Sequence, residues 1–303
     1  VTVQSQSGTA WLTEVSADTA AQLRSLFERA TETDSVAPIS EQAVLSLNGG
    51  THARHLIATD AGRIVGYANL APGHGPHPAM AEVVVDPPSR GRGIGNGLVA
   101  AALAAGGSDA RVWAHGNLPA ARAVAGRLGL TVARELWQMR VNLAESGLPE
   151  LPARSDVVLR TYAGPEDDAE LLRVNAAAFD WHPEQGVWTE ADVAARRESE
   201  WFDPAGLIIA TDAADPARVL GFHWTKIEPA APGEGEVYVV AVDPAAQGRG
   251  LGRLLTVAGM AHMRARGADR ILLYTEADNT AAVHTYSRLG FAVAHVDAAY
   301  HRP

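Results

Sequence analysis

Two glycine-rich turns carry the first chemical signal in this chain. One reads Gln247-Gly248-Arg249-Gly250-Leu251-Gly252-Arg253 and the other Arg90-Gly91-Arg92-Gly93-Ile94-Gly95. Each follows an apolar run ending in Val-Asp-Pro and opens an apolar, helix-like stretch. A glycine turn at a helix N-terminus presents unpaired backbone N–H groups at the positive end of the helix dipole, which favours a pyrophosphate. The absence of Cβ atoms lets the phosphates approach the backbone. Neither turn has the Gly-Lys-Ser/Thr of a nucleotide P-loop or the G-x-G-x-x-G of a dinucleotide site; the spacing is Q/R-x-x-G-x-G.

The elements around these turns recur. Glu82 to Gly95 is echoed by Val239 to Gly252, with Asp86 opposite Asp243 and Gly91, Arg92, Gly93 and Gly95 opposite Gly248, Arg249, Gly250 and Gly252. Leu118 to Gly129 is similarly echoed by Asn279 to Gly290. The same ordered pair of motifs occurring twice in 303 residues predicts two domains. We place residues 1–146 in the first and 157–303 in the second, with the proline-bearing stretch 147–156 as an extended linker.

The second half predicts strands at Val157–Thr161, Gly206–Thr211, Val219–Lys226, Glu236–Val242, Arg270–Thr275 and Phe291–Val296. Helices are expected from Pro165, after Thr189, from about Arg249 to Gly267, and over Thr280–Leu289. In the first half, Leu23, Leu26, Phe27 and Ala30 mark one face of a helix over Asp18–Ala30. Strands and helices in this order indicate an α/β fold, an α+β mixed sheet, in two tandem copies.

Composition narrows the function. With 47% hydrophobic and 20% charged residues the chain is globular in character. It has no cysteine, which removes disulfides, thiolate nucleophiles and cysteine-ligated metals. The histidines lack a ligand set at helical spacing, so no metal is expected. A net charge of −10 argues against nucleic acid. No basic segment followed by an apolar run opens Val1–Gly8, and the longest apolar run, Leu98–Ala105, is too short for a bilayer. The expectation is a cytoplasmic monomer without a membrane or nucleic-acid partner.

The loop in this context, together with Asn279-Thr-Ala-Ala-Val-His-Thr-Tyr286-Ser-Arg-Leu-Gly-Phe291, resembles the GCN5-related N-acetyltransferase family. The resemblance implies acetyl-CoA as co-substrate. It would be held in the second copy by Val240, Ala241, Val242, Gln247 to Arg253, Asn279 and Ala282, and in the first by Val83, Val84, Val85 and Arg90 to Gly95. It also implies Glu236 as general base and Tyr286 as the acid that protonates the departing CoA thiolate. A phenol with an ordinary pKa near 10 can supply a proton while neutral at pH 7. The backbone N–H groups near Val240 to Val242 would hold the thioester carbonyl. Ala79 stands opposite Glu236 and Ala125 opposite Tyr286, so the first copy is expected to be non-catalytic.

Further stretches, including Val36-Ala-Pro-Ile-Ser-Glu41-Gln42, His182-Pro-Glu184-Gln-Gly186, Trp201-Phe-Asp-Pro204 and Gly221-Phe-His-Trp-Thr-Lys226, resemble tandem members of the family. Those members acetylate the cysteinyl amine of a cysteine-glucosamine-inositol conjugate. That resemblance implies a small-molecule amine acceptor contacted by Glu41, Glu184, Lys226, Glu236 and Tyr274, in a cleft between the domains with Trp188, Trp201 and Trp224 as candidate walls. Another amine, such as an antibiotic or a protein N-terminus, and a non-catalytic CoA sensor are the alternatives. Retention of Glu236 and Tyr286 weighs against the sensor, because binding alone needs neither.

Overall fold

The computed structural model of the chain describes residues 8–49, 52–75, 77–151, 153–180 and 185–303. It divides into two units, Val1–Leu136 with Val296–Pro303, and Trp137–His295. This differs from the boundary expected at 147–156. Residues 137–146 belong to unit 2, and the chain's last stretch belongs to unit 1.

In chain order the elements are β1 (Gly8–Leu12), α1 (Ala17–Asp34), α2 (Glu41–Leu45), β2 (Arg54–Asp60), β3 (Arg63–Ala71), β4 (Met80–Val85), α3 (Ile94–Gly106), β5 (Arg111–Ala114), α4 (Pro119–Arg127) and β6 (Thr131–Asn142). There follow α5 (Leu143–Ser146), β7 (Val157–Thr161), α6 (Asp168–Ala178), α7 (Glu190–Arg197), β8 (Leu207–Asp212), β9 (Val219–Lys226), β10 (Glu234–Val242), α8 (Leu251–Ala265), β11 (Arg270–Glu276), α9 (Thr280–Arg288) and β12 (Ala292–His301). Among the described residues, no helix is long and apolar enough to cross a membrane.

In unit 1, Ser16 caps α1 by accepting from Thr19 N, and the face carrying Leu23, Leu26, Phe27 and Ala30 is buried as its spacing requires. Strands β1 to β4 form an antiparallel meander. β5 then runs parallel to β4, and α3 packs Leu98, Ala102 and Leu103 against Ala68, Ala81 and Val112. The outer neighbour of β5 is the end of β12, paired from Ala298↔Ala114 to His301↔Arg111. The sequence predicts this strand only as far as Val296, yet Ala298 and Tyr300 are buried in the core of unit 1.

Unit 2 repeats the plan. β7, β8, β9 and β10 are antiparallel, β11 is parallel to β10, and the 137–142 part of β6 lies beyond β11. On one side α8 buries Val257, Met260 and Met263 with Met139, Val141, Val237 and Leu273. On the other, Val174 of α6 and Val193 of α7 pack with Phe222, Trp224, Val239 and Ala241. Trp224 and Phe222 are essentially inaccessible, and burying each contributes about 2 to 3 kcal/mol.

One irregularity in β10 matters for function. Glu236 pairs with Lys226 and Val237 with Thr225, but Val239 pairs with Trp224, so Tyr238 is the extra residue of a β-bulge. The bulge resets the alternation of the strand. Val237 packs toward α8, whereas Val239 and Ala241 join the core shared with α6 and α7. Glu236, opposite Lys226, lies on that second face as well.

Candidate active site

The loop after β10 is anchored at its start. Asp243 accepts from Ala245 N at 2.9 Å and pairs with Arg173 Nη1 of α6 at 2.7 Å. Gly248 and Gly250 take φ values of +77° and +73°, left-handed positions that a side chain would strain. Gly250 is the N-cap of α8 and supplies no side-chain cap. The helical ladder begins with Leu254 N donating to Gly250 O at 3.1 Å, so the N–H groups of Leu251, Gly252 and Arg253 have no intrahelical acceptor.

Gly252 is helical, and a Cβ there would meet nothing within 4 Å. Neither backbone conformation nor internal packing calls for glycine at this position, and the space beside this helix end is open. Together these features fit the pyrophosphate of CoA. Arg249 donates to Asp156 at 2.8 Å while Arg154 donates to the Arg249 carbonyl at 2.8 Å, tying the loop to the segment before β7. The two arginines hold the Asp156 carboxyl far below the usual carboxylate range.

Beside the loop the sheet opens. Parallel pairing of β10 with β11 runs from Glu234↔Arg270 to Val237↔Leu273 and goes no further. Asp243 N donates toward β9, to Leu220 O at 2.9 Å. Strand alternation then directs the N–H groups of Val242 and Val240 to the opposite edge, where β11 has parted. A thioester carbonyl laid in this gap would meet donors that the sheet leaves unused.

Glu236 stands where the pairing ends. It is partly buried, and burial raises its carboxyl above the ordinary range, while Lys226 opposes that rise. Lys226 Nζ lies 3.9 Å from Glu236 Oε2 and 2.6 Å from Glu228 Oε1. Burial works against the Lys226 charge, but these carboxylates outweigh it and hold the ammonium above its usual value. Nζ also sits 5.5 Å from the Trp201 ring and 5.8 Å from the Tyr238 ring.

Tyr286 packs on α9 against Phe291, with ring centroids 5.8 Å apart, and burial pushes its phenol up to about 12. Asn279 caps α9 by accepting from Ala282 N at 3.2 Å, so this Ala282 donor is already in use. Tyr274 is 49% exposed on β11. It is on the face of Glu236, because Glu236 pairs with Leu272, two residues before it. Trp188, Trp201 and Trp224 do gather, with Tyr238, into an aromatic cluster; Trp201 and Tyr238 are 5.1 Å apart. Glu41 is exposed at the start of α2 in unit 1, and Glu184 lies outside the described residues.

The first copy keeps the loop but changes its side chains. Gly91 and Gly93 have φ values of +76° and +85°, and α3 begins without a side-chain cap. Arg90, opposite Gln247, is held by Asp34 through two bonds of 2.8 and 2.7 Å and donates to Val85 O at 3.1 Å. Arg92 donates to Asp60 at 2.8 Å. β4 and β5 part after Glu82↔Trp113, and a cavity of about 700 Å³ opens there, lined by Val83, Val84, Val85, Gly93, Gly95 and His115 among others.

Sequence reasoning missed a charged cluster at the wall of this cavity. Glu82 accepts from Ser40 N and Ser40 Oγ, each at 2.6 Å, and lies 2.9 Å from His115 Nε2. Asp297 Oδ2 lies 3.7 Å from the other ring nitrogen. Burial opposes the charge on His115, but the Asp297 and Glu82 carboxylates outweigh it and push the imidazole up to about 9. Residues this far apart in the chain carry no common sequence signal; only pairing of β12 with β5 brings Asp297 to His115.

The sequence profile of the acetyltransferase (GNAT) family matches residues 20–130 and, separately, 175–291. The mycothiol acetyltransferase of Nocardia farcinica is 66% identical over 291 residues, covering 96% of each chain. That of Rhodococcus opacus is 60% identical over 297 residues, covering 96% of this chain and 97% of its own. Among solved structures, a GCN5-related N-acetyltransferase from Sphaerobacter thermophilus superposes with a TM-score of 0.70 at 20% identity, covering 96% of this chain and 94% of that one. A tandem GNAT protein from the clavulanic acid biosynthesis pathway gives 0.65, also at 20% identity, over 97% and 98% of the two chains; at such identity these likenesses establish the fold alone. The repeated glycine loop, the parted strands beside it and near-full-length identity to curated relatives agree: the chain belongs to the GNAT acetyltransferase family, as a tandem acyltransferase of the branch named mycothiol acetyltransferases.

Proposed function

We propose that unit 2 transfers the acetyl group of acetyl-CoA to the cysteinyl α-amine of a cysteine-glucosamine-inositol conjugate, forming mycothiol by direct attack. The observation that carries the chemistry is Glu236, a partly buried carboxylate of raised basicity at the point where β10 and β11 separate. The reading of the acceptor rests on the named relatives.

Glu236 takes the proton of the attacking ammonium, directly or through water. An α-amine has a pKa near 7.7 to 8.0 against about 10.4 for lysine, so a carboxylate of raised pKa suffices. The Val240 and Val242 N–H groups carry the charge that develops on the thioester oxygen as the C–N bond forms. Tyr286 faces the departing sulfur. With a phenol near 12 it is a weaker acid than a thiol of about 8.5, so it acts as an acid by donating a hydrogen bond to the sulfur as the C–S bond breaks, and the departing thiolate takes its proton from water. Lys226 and Tyr274 meet the polyhydroxylated acceptor. Unit 1 carries neither proton-transfer group and serves in a non-catalytic role.

The test is release of CoA from acetyl-CoA with the cysteinyl-glucosaminyl-inositol conjugate, beside a panel of simple amines and peptides, with product masses measured. Strong preference for the conjugate is the expected result. Turnover confined to another amine would discard the acceptor, and binding of CoA with no turnover on any amine would leave a sensor.

A further inference from the structure

Tyr274 does not stand alone on the acceptor face. Gln138, on the 137–142 part of β6, places Nε2 at 2.7 Å from the Tyr274 hydroxyl. Its Oε1 accepts from Arg140 Nε at 2.8 Å. A guanidinium has only donors, so the amide atom facing Arg140 must be the oxygen. The atom facing Tyr274 is then the NH2 group, and the orientation of the amide is settled by chemistry and not by choice. Arg140 is oriented in turn by Glu234, whose Oε2 lies 3.8 Å from Nη1.

A phenol hydroxyl has a single hydrogen. Because Gln138 donates to it, the Tyr274 oxygen is used as an acceptor there and its own hydrogen must point elsewhere. The ring is 49% exposed, so that hydrogen has room to reach a bound molecule. Glu236 and Lys226 are on the same sheet face, in the row of paired residues Lys226↔Glu236↔Leu272 just before Tyr274.

We propose that Gln138, anchored by Arg140, is a positioning residue that fixes Tyr274 as a hydrogen-bond donor, so that this part of the site selects an acceptor presenting a lone-pair oxygen, a sugar hydroxyl or an amide carbonyl. This rests on the reading of Tyr274 as an acceptor contact. It divides the site by polarity: the carboxylate of Glu236 serves the ammonium, and the Tyr274 hydroxyl serves a neutral oxygen. A second cationic group on the acceptor has no partner at Tyr274.

Steady-state kinetics with acetyl-CoA and the cysteinyl-glucosaminyl-inositol conjugate tests the proposal. In Gln138→Glu the carboxylate keeps the Arg140 contact but can only accept, so it draws the Tyr274 hydrogen away from the site. The expected result is a rise of about tenfold in KM for the conjugate, with KM for acetyl-CoA unchanged. Gln138→Leu, which frees the hydroxyl to rotate, should raise it less. Placed on a Tyr274→Phe background, Gln138→Glu should add nothing, because Gln138 acts through that hydroxyl.

A conjugate KM within twofold of the parent in Gln138→Glu, while Tyr274→Phe raises it, would overturn the proposal and leave the acceptor site standing. An additive effect on the Tyr274→Phe background would overturn it too. No effect of Tyr274→Phe itself would remove Tyr274 from the acceptor site, and the proposal with it.

Discussion

Lys226 and Glu236 are register partners across β9 and β10, with Nζ 3.9 Å from Oε2. Backbone pairing thus sets a cation beside the carboxylate, and two influences meet there. Burial raises the affinity of Glu236 for a proton, and Lys226 restrains that rise. The balance leaves a carboxylate that is more basic than usual.

Removing the cation should therefore move the pH profile in a definite direction. Glu236 must be ionised to act as base, so kcat/KM rises with pH through its folded-state pKa. Lys226→Met takes away the influence that lowers this pKa, and the acid limb of the profile should shift to higher pH. A limb that stays in place or moves down would contradict the coupling.

Glu236→Gln should lower kcat by at least about a hundredfold, the lower end of general-base contributions, with little change in KM for acetyl-CoA. Tyr286→Phe should lower kcat less, by about tenfold, because a neutral phenol near 12 contributes a hydrogen bond and not a ready proton. Turnover unaltered in both variants would remove these residues from the chemistry.

At Gly252 stability and binding should part company. Gly252→Ala places a methyl in open space on a helical residue, which favours the helix by up to about 1 kcal/mol. The melting temperature should hold or rise while KM for acetyl-CoA rises by about tenfold or more, as the methyl meets a phosphate. At Gly250, with φ of +73°, alanine should instead cost about 1 kcal/mol of stability. Parallel melting curves and acetyl-CoA titrations distinguish the two.

His115 gives a stability prediction in unit 1. Its folded-state value of about 9 lies above the ordinary 6.5, so the stabilisation is fully present below pH 6.5 and is lost as pH rises through 9. The shift corresponds to something on the order of 3 kcal/mol. Thermal unfolding of the parent chain should weaken across this interval. The same loss should be absent in His115→Leu, and a loss of equal size in that variant would assign the effect to other groups.

The local features of the site were legible from the residues alone. A left-handed glycine at a helix start, an aspartate closing a strand and a capping asparagine are set by a few consecutive residues. Gln247 to Arg253 and Asn279 accordingly fall where sequence reading expected a loop before α8 and the start of α9. The strand Val219–Lys226 matches its expected bounds for the same reason, since β-branched and aromatic alternation is written into the strand itself.

What the sequence by itself determined is the doubled family architecture, its glycine loops and the residue types offered for proton transfer, because each depends on short-range backbone and side-chain preferences. Tertiary structure alone decided the rest. The bulge at Tyr238 puts Glu236 and Val239 on one face, the 137–142 strand delivers Gln138 to Tyr274, and the end of β12 carries Asp297 into unit 1. Strand pairing joins residues far apart in the chain, and a shift of one residue in register reverses every face, so the choice rests on the whole core and not on any local stretch.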